Sequence, residues 1–181
     1  MSLQDKQHYV QSILPIVKGM SQRNSDEKLL ANNNDKVSHT KLRELSRLPQ
    51  NKDCADCTSK VTGWASLPHG IFICINCAQV HRHIGAHISR VKAFNTGTYI
   101  WYSDEIECME KMGNLRANDL YVSDKNIIKP NADADFYQRE SYIRNKYEQL
   151  KWIDINKKNI KIEKIEKIEK KDIEKDLIDF W

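Results

Sequence analysis

No apolar run in these 181 residues approaches the ~18 residues that a membrane-spanning helix needs. The first residues, MSLQDKQHYVQ, also lack the charged and then apolar pattern of a secretory signal peptide. A chain of this length can bury one core of ordinary size. These absences exclude a membrane-spanning protein, and we expect a soluble, cytosolic chain with one folded domain and flanking extensions.

Acidic side chains are absent from Cys57 through Ser103, although the net charge of the whole chain is only +4. The same window contains cations and histidines, namely Lys60, His69, His81, Arg82, His83, His87, Arg90 and Lys92. We therefore expect a positive surface there that attracts an anion, either a phosphate or an acidic protein.

The chain ends differ in composition from its centre. Residues 1–20 place apolar side chains at helical spacing, interrupted by Pro15, which predicts a short helix. The polar, asparagine-rich stretch 21–40 has too few apolar side chains to fold alone and predicts a linker. We therefore divide the chain into an N-terminal extension over 1–39 and a folded domain over 40–152.

Beyond Trp152 the sequence changes to repeated Ile-Glu-Lys triplets, in KKNIKIEKIEKIEKKDIEKDLIDFW. A three-residue repeat drifts around a helix of about 3.6 residues per turn, so the isoleucines form no fixed seam. We expect a charged helix or a disordered tail over 153–181 rather than a coiled coil.

Local patterns predict the elements of the central domain. They are a two-turn helix ending at Pro49, two strands joined by a turn at residues 68–70, a helix over residues 77–83, a helix capped by Ser103, a helical piece over residues 116–122 and a last helix over residues 134–150.

Four of the five cysteines form two Cys-x-x-Cys pairs, Cys54 with Cys57 and Cys74 with Cys77, separated by sixteen residues. An odd number of cysteines in a reducing compartment fits a disulfide framework poorly, whereas two such pairs fit one tetrahedral ion. Zinc is the expected ion. Four thiolates leave no open position for a catalytic water, so its role is structural. We expect the fifth cysteine, Cys108, to be an ordinary buried thiol.

Three histidines follow the second cysteine pair: His81, His83 and His87. Since four thiolates already complete a tetrahedral site, these histidines are not needed as ligands. We expect them to pack beside the metal site or to form hydrogen bonds there.

A basic helix beside a zinc site can also serve nucleic-acid binding. Groove reading needs several basic or amide side chains on one helix face, and residues 78–92 offer only Arg82, Arg90 and Lys92. We therefore expect no nucleic-acid partner.

The cysteine spacing, followed by an arginine at the fifth position after the last cysteine, resembles the zinc-binding GTPase-activating domain for ADP-ribosylation factors, the ArfGAP domain. The similarity continues in NKDCADC at 51–57, WAS at 64–66, HRHIGAHISRVK at 81–92, GNLRAN at 113–118 and YIRNKY at 142–147. It covers about residues 41–152.

The resemblance implies an α/β (α+β) zinc-finger domain, with a small three-stranded sheet and about five or six helices. It implies one structural Zn²⁺ and an Arf-family GTPase in its GTP form as partner. Arg82 would be supplied in trans to accelerate hydrolysis of the partner's GTP, so the chain is not itself a hydrolase. The implied partner-binding residues are Trp64, Ile75, His87, Ser89 and Arg90.

Simpler roles remain open for several of these residues. Arg82 could be an ordinary surface or helix-capping arginine, and Trp64 could be a plain core residue. His87, Ser89 and Arg90 could only shape the loop after the helix.

Two departures from the family pattern bear on function. Ala78 and Gln79 stand where the family usually has Ser-Gly. The stretch AFNTGTYIW, which includes residues 93–100, contains no acid, whereas the family usually has a leucine-aspartate pair there. The second departure keeps an alternative open, a non-catalytic zinc-finger adaptor that binds GTPase or coat partners.

The resemblance further implies a role in vesicle transport, with release of vesicle coats, in the cytoplasm and at the Golgi surface, where the chain would associate peripherally with the membrane. The terminal DLIDFW resembles aromatic-acidic pieces that engage coat proteins. Coat proteins are therefore a further expected class of partner.

Overall fold

The computed structural model describes residues 2–156. The elements, in chain order, are α1 (Leu3–Ile13), α2 (Ser25–Asn33), α3 (Asp35–Arg47), β1 (Trp64–Leu67), β2 (Ile71–Ile73), α4 (Ile75–Ile84), β3 (Arg90–Ala93), α5 (Ser103–Lys111), α6 (Gly113–Tyr121) and α7 (Phe136–Ile143). A 3₁₀ turn, Met20–Gln22, precedes α2, and a π-helical segment, Arg144–Glu148, continues α7. The tail predicted from residue 153 and the DLIDFW motif lie almost wholly outside the described residues.

The three strands form one antiparallel sheet in the order β2-β1-β3. In the central strand β1, Ser66 lies opposite Ile71 of β2 and Val91 of β3. The turn between β1 and β2 contains Gly70 at φ +66°, and a Cβ there would lie 2.5 Å from the Cβ of Met112. Only glycine fits this approach. The predicted fold class and the predicted hairpin are both confirmed.

Helices cover the sheet and each other. α4 packs against β1 and β3, α6 packs against β2, and α7 packs against α4. Phe72 and Phe94 meet edge to face at 5.3 Å in the core, and Leu42 of α3 is fully buried. Burial of each such side chain contributes about 2 kcal/mol. The thiol of Cys108 donates to the Pro68 carbonyl at 3.3 Å, and burial raises its pKa to about 12. Cys108 is the ordinary buried thiol that we predicted.

The stretch 21–40 differs from the predicted linker, because most of it is helical. α2 begins with a reciprocal cap: the Asn24 side chain accepts from the Glu27 N–H at 2.8 Å, and the Glu27 carboxylate accepts from the Asn24 N–H at 3.0 Å. α3 begins at Asp35, five residues before the expected start of folded structure at Thr40. In α2, local capping and the burial of Ala31 replace the apolar stripe that the sequence lacks.

Ion pairs and hydrogen bonds attach the N-terminal extension to the domain. Arg23 is 6% exposed and donates to both carboxylate oxygens of Asp104, at 2.6 and 2.9 Å. Its guanidinium lies 3.9 Å from the centre of the Tyr102 ring. Lys6 of α1 donates to the Leu150 carbonyl at 2.8 Å. The bidentate pair between Arg23 and Asp104 is charge-assisted and directional. It therefore holds the extension in one orientation.

Several predicted boundaries move by a few residues, including that of α6, which was predicted over residues 116–122 and is Gly113–Tyr121. α4 begins at Ile75 rather than at residue 77, and Tyr102, not Ser103, occupies the position that caps α5. The last helix, predicted over residues 134–150, is α7 followed by the π-helical segment. Helix ends are set by the capping partners that the fold supplies, which the periodicity of apolar residues does not report.

Candidate metal centre and arginine-bearing helix

The four predicted cysteine ligands meet at one point, where the loop after α3 contacts the start of α4. Their sulfur atoms all lie within 4.8 Å of one another, and all four residues are buried: Cys54, Cys57, Cys74 and Cys77. Among residues 2–156, no other cluster of metal-binding side chains has this geometry, and no histidine joins it. Four sulfurs at this spacing fit a closed tetrahedral zinc site.

Backbone amides around the cysteines also fit a metal site. The sulfur of Cys54 accepts from the N–H of Cys74 at 3.3 Å, and the sulfur of Cys57 accepts from the N–H of Ser59 at 3.4 Å. The sulfur of Cys74 caps α4 by accepting from the N–H of Cys77 at 3.4 Å. These donors favour the thiolate form that a metal requires. They also tie the metal site directly to the start of α4.

Arg139 of α7, which the sequence did not single out, contacts the cluster. It is 2% exposed, and its guanidinium donates to the sulfur of Cys77 at 3.3 Å and to the Ala132 carbonyl at 2.6 Å. Burial opposes its charge, but the neighbouring sulfurs of Cys57 and Cys77 raise its pKa above the ordinary value. Four thiolates around one divalent ion would leave surplus negative charge, and Arg139 is placed to offset part of it.

The loop that carries Cys54 and Cys57 is called the metal loop. Behind α4, a fully buried carboxylate joins this loop to two helices. Asp56, between the first two cysteines, accepts from the Lys146 ammonium at 2.7 Å and the Tyr147 hydroxyl at 2.8 Å, and lies 2.9 Å from Nε2 of His81. Burial alone would raise the pKa of Asp56, but the charge of Lys146 and the hydrogen bond of His81 lower it well below its ordinary value. The carboxylate is therefore ionised and fully partnered.

The same network continues from His81 to the sheet. Nδ1 of His81 lies 2.7 Å from the hydroxyl of Ser89, which lies 2.5 Å from the hydroxyl of Ser66 in β1. His81 thus has the hydrogen-bonding role that we expected and is not a metal ligand. Ser89, which we expected to contact a partner, is only 1% exposed, so its hydroxyl is engaged within the fold. Its placement corresponds to the alternative, a residue that shapes the loop after the helix.

The front of α4 is exposed. Ile75 and Arg82 are seven residues apart, which places them on one helix face two turns from each other. Ile75 is 54% exposed, and Arg82 is exposed. The Arg82 guanidinium lies 4.3 Å from the centre of the Trp64 ring and donates to the Tyr99 hydroxyl at 3.4 Å. It forms no ion pair with any residue from 2 to 156.

A histidine from the predicted linker holds the loop that carries Tyr99. The ring nitrogens of His39, in α3, lie 2.8 Å from the Phe94 carbonyl and 2.9 Å from the Tyr99 carbonyl. His39 is 4% exposed. Sequence reasoning missed it because its partners are more than fifty residues away along the chain, beyond any local pattern.

The other two expected contact residues meet the N-terminal extension. Arg90 donates to the Lys18 carbonyl and to the Glu105 carboxylate, each at 3.1 Å. His87 is exposed and packs on Gly85, at the edge of a cavity of about 430 Å³ lined partly by residues of α1. The structure therefore brings Trp64 and Arg82 together but places His87 and Arg90 beside the extension.

Residues 39–156, which include the metal site and α4, match the family model for ArfGap, a GTPase activating protein for Arf. The chain belongs to the ArfGap family. The family resemblance noted in the sequence is thereby confirmed. Within residues 2–156, no helix of this ArfGap protein has the length and apolar character needed to cross a bilayer.

Two relatives and one solved structure resemble the ArfGap part of the chain. Stromal membrane-associated protein 1 of Homo sapiens is 44% identical over 117 residues, which cover 64% of this chain and 24% of that protein. ADP-ribosylation factor GTPase-activating protein effector protein 2 of Saccharomyces cerevisiae is 39% identical over 115 residues, covering 62% of this chain and 38% of that protein. The chain thus spans well under half the length of either relative.

The solved ArfGap domain of HIV-1 Rev binding protein superposes with a TM-score of 0.59 and is 22% identical, covering 70% of this chain and 95% of that one. At this identity the likeness concerns the fold alone. It agrees with the three-stranded sheet and surrounding helices of this ArfGap domain.

Proposed function

We propose that this chain stimulates GTP hydrolysis on an Arf-type small GTPase by supplying Arg82 in trans. The observation that carries the proposal is the state of Arg82 itself. Its guanidinium is exposed, rests on Trp64 at 4.3 Å, and has no carboxylate partner among residues 2–156. A cation that is held in place but not neutralised is suited to an anion from another molecule.

The proposed chemistry takes place in the partner's nucleotide pocket. A small GTPase hydrolyses GTP slowly because the charge that develops on the phosphate oxygens is incompletely neutralised, and an arginine supplied in trans increases the rate by ~10³–10⁵. The guanidinium is planar and permanently charged, so lysine is a poor substitute at position 82. On this proposal the chain is an activator and not itself a hydrolase.

One Zn²⁺ is the proposed ion at the four cysteines, where it supplies structure and no open coordination position. The cysteine thiolates would hold it, and Arg139 would offset the surplus charge. Since Cys74 caps α4, the metal site holds the start of this helix. Arg82 lies on the same helix, seven residues after its first residue, Ile75.

The proposed docking surface surrounds Arg82. Ile75, two turns earlier on α4, offers an exposed apolar contact, and Trp64 lies beside the guanidinium. The acid-free window from Cys57 to Ser103 supplies these residues and favours approach of an anionic partner surface. Family membership supports an Arf-type GTPase as that partner.

The wider setting is also proposed. An activator of this type would promote release of vesicle coats in the cytoplasm and at the Golgi surface, with peripheral membrane association and coat proteins as further partners. The name of the yeast relative, an ADP-ribosylation factor GTPase-activating protein, supports the GTPase part of this proposal.

The test is single-turnover hydrolysis by GTP-loaded Arf with and without the chain. We expect Arg82→Ala to lose ~10³-fold or more of the stimulation, and Arg82→Lys to lose nearly as much. Arg116→Ala removes an exposed arginine from α6 and should retain full stimulation, which makes it the matched control. Equal stimulation by the unaltered chain and Arg82→Ala would contradict the proposed role of Arg82.

A second candidate function, a non-catalytic adaptor, is favoured by one observation. The stretch 93–100, which runs from the end of β3 through the loop to Tyr99 beside Arg82, contains no carboxylate. An adaptor would bind the GTP-loaded Arf without accelerating hydrolysis. Binding without stimulation in the same assay would support the adaptor.

A further inference from the structure

A groove of about 420 Å³ lies between the end of α3, the metal loop and the start of β1. The charged residues that line it are all cations, namely Arg43, Arg47, Lys52 and Lys60, and no acidic side chain lines it. We call these four residues, with the exposed apolar Val61 that also lines the groove, the basic groove. Its cations come from two separate parts of the chain, so no local sequence run of positive charge reveals it.

Two of the four cations have no ion-pair or hydrogen-bond partner among residues 2–156. Lys60 donates to the Asp53 carboxylate at 2.6 Å, and Arg43 donates to the Thr40 hydroxyl at 3.2 Å. Arg47 and Lys52 are exposed, and their side chains form no ion pair or hydrogen bond with any residue from 2 to 156. Unpaired cations at one concave site favour a ligand with several negative charges.

One exposed apolar side chain lines the basic groove, and a second lies next to Arg47 in the chain. Val61 is 76% exposed, and Leu48, which directly follows Arg47, is 39% exposed. The Leu48 carbonyl accepts from the backbone N–H of Lys52 at 3.0 Å, so Arg47, Leu48 and Lys52 belong to one tight turn of the chain. Cations together with exposed apolar side chains match the headgroup region of a bilayer with acidic lipids. A soluble acidic peptide would satisfy the cations but would leave Val61 and Leu48 without that environment.

We propose that the basic groove docks on the headgroups of acidic membrane lipids. Thr62, which also lines the groove, is two residues before Trp64, whose ring supports Arg82. The lipid contact would therefore lie next to the arginine-bearing face. The proposal does not depend on stimulation of a GTPase, because it concerns different side chains and has its own measurement.

The experiment is cosedimentation of the full 181-residue chain with vesicles of phosphatidylcholine, with and without phosphatidylserine. We expect binding only to the vesicles that contain phosphatidylserine, with affinity that falls as salt rises. Each cation near an acidic lipid surface contributes roughly fivefold in affinity, so Arg47→Gln with Lys52→Gln should weaken binding by about 25-fold. Both side chains are exposed, and the double variant should keep its thermal stability.

The matched control is Lys28→Gln with Lys125→Gln, which removes the same charge from exposed positions elsewhere. A much smaller loss in the control than in the groove variant supports the proposal. Equal losses would mean general charge attraction, and no loss in the groove variant would mean that another part of the chain binds. Groove-dependent binding to an acidic peptide or duplex DNA, without vesicle binding, would assign the groove to another polyanion. Each of these three outcomes overturns the proposal. In solution, stimulation of Arf by the groove variant reports separately on the proposed function.

Discussion

The two faces of α4 are held in very different ways. The back face carries His81, whose ring connects the fully buried Asp56 to Ser89. The front face carries the next residue, Arg82, whose guanidinium has only a stacked ring and one long hydrogen bond. A single peptide unit therefore separates a fully partnered network from an unneutralised cation.

This difference shows how the fold can present a charged side chain accurately without neutralising it. The buried hydrogen bonds of His81 lie on the back face, where low polarity makes them directional and makes their loss costly. The exposed side keeps its charge available because its contacts are an aromatic face and a hydroxyl. Rigidity and availability are thus assigned to opposite faces of one helix.

Removal of the metal should unfold the domain and so disrupt both faces of α4 at once. This is the largest effect that we expect. Structural zinc contributes on the order of 10 kcal/mol to small domains. A strong chelator, or Cys77→Ser, should therefore eliminate the cooperative thermal transition followed by circular dichroism. Cys108→Ser is the control, because that thiol is buried away from the cluster and its hydroxyl replacement can still reach the Pro68 carbonyl. An unchanged transition after complete chelation would contradict the metal site.

Asp56→Ala should disrupt the back face while leaving the front-face side chains in place. It leaves Lys146, which is 0% exposed, without its carboxylate. Loss of one partner from a buried pair costs about 3–5 kcal/mol. Urea unfolding with zinc in excess measures this cost. The double variant Asp56→Ala with Lys146→Met should recover part of the stability, and an equal or larger cost in the double variant would exclude the proposed coupling.

His39→Ala should loosen the loop beside the front face. It leaves the buried Phe94 carbonyl and the half-buried Tyr99 carbonyl without their contacts to the ring nitrogens, for a cost of about 1–3 kcal/mol in unfolding free energy. Stimulation of Arf should fall as well, because Tyr99 contacts Arg82. Thr40→Ala, one residue along α3 on its exposed side, is a control for helix propensity. Equal effects of the two substitutions would remove His39 from the explanation.

The smallest effect is expected at Trp64. An exposed cation–π contact is worth about 0.5–1 kcal/mol, so Trp64→Leu should reduce stimulation by roughly two- to fivefold through poorer placement of Arg82. Trp64→Phe should retain most of it, since an aromatic face remains. Tyr99→Phe removes only the hydroxyl that Arg82 reaches and provides the comparison for the hydrogen bond. Stimulation that is unchanged in Trp64→Leu would show that the stacking does not position the guanidinium.

Much of the site could be predicted because it depends on short spacings. Cys54 with Cys57, and Cys74 with Cys77, each supply two ligands within one turn of chain, and Arg82 follows at a fixed helical offset. By contrast, Lys146 reaches Asp56 across 90 positions of sequence. No local pattern can indicate which distant cation will enter a buried carboxylate's surroundings.

In the N-terminal extension, the sequence pattern predicted less structure than the fold contains. Its low content of apolar side chains predicted a linker, but the cap between Asn24 and Glu27 and the bidentate pair between Arg23 and Asp104 give it helices and an attachment. The cap could have been recognised from Asn-x-x-Glu spacing. The pair with Asp104 could not, since it joins residues 81 positions apart.

The sequence by itself determined the four thiolate ligands, the hairpin that presents two of them, and the helix that carries Arg82, because each depends on contacts between near neighbours in the chain. Tertiary structure decided which arginines around the site are neutralised. Arg23, Arg90 and Arg139 each contact negatively charged or sulfur groups from other elements, whereas Arg82 has no carboxylate partner among residues 2–156. The physical reason is that the neutralisation of a charge depends on what folding brings within a few ångströms of it, and for Arg23, Arg90 and Arg139 those groups lie well beyond one helical turn along the chain.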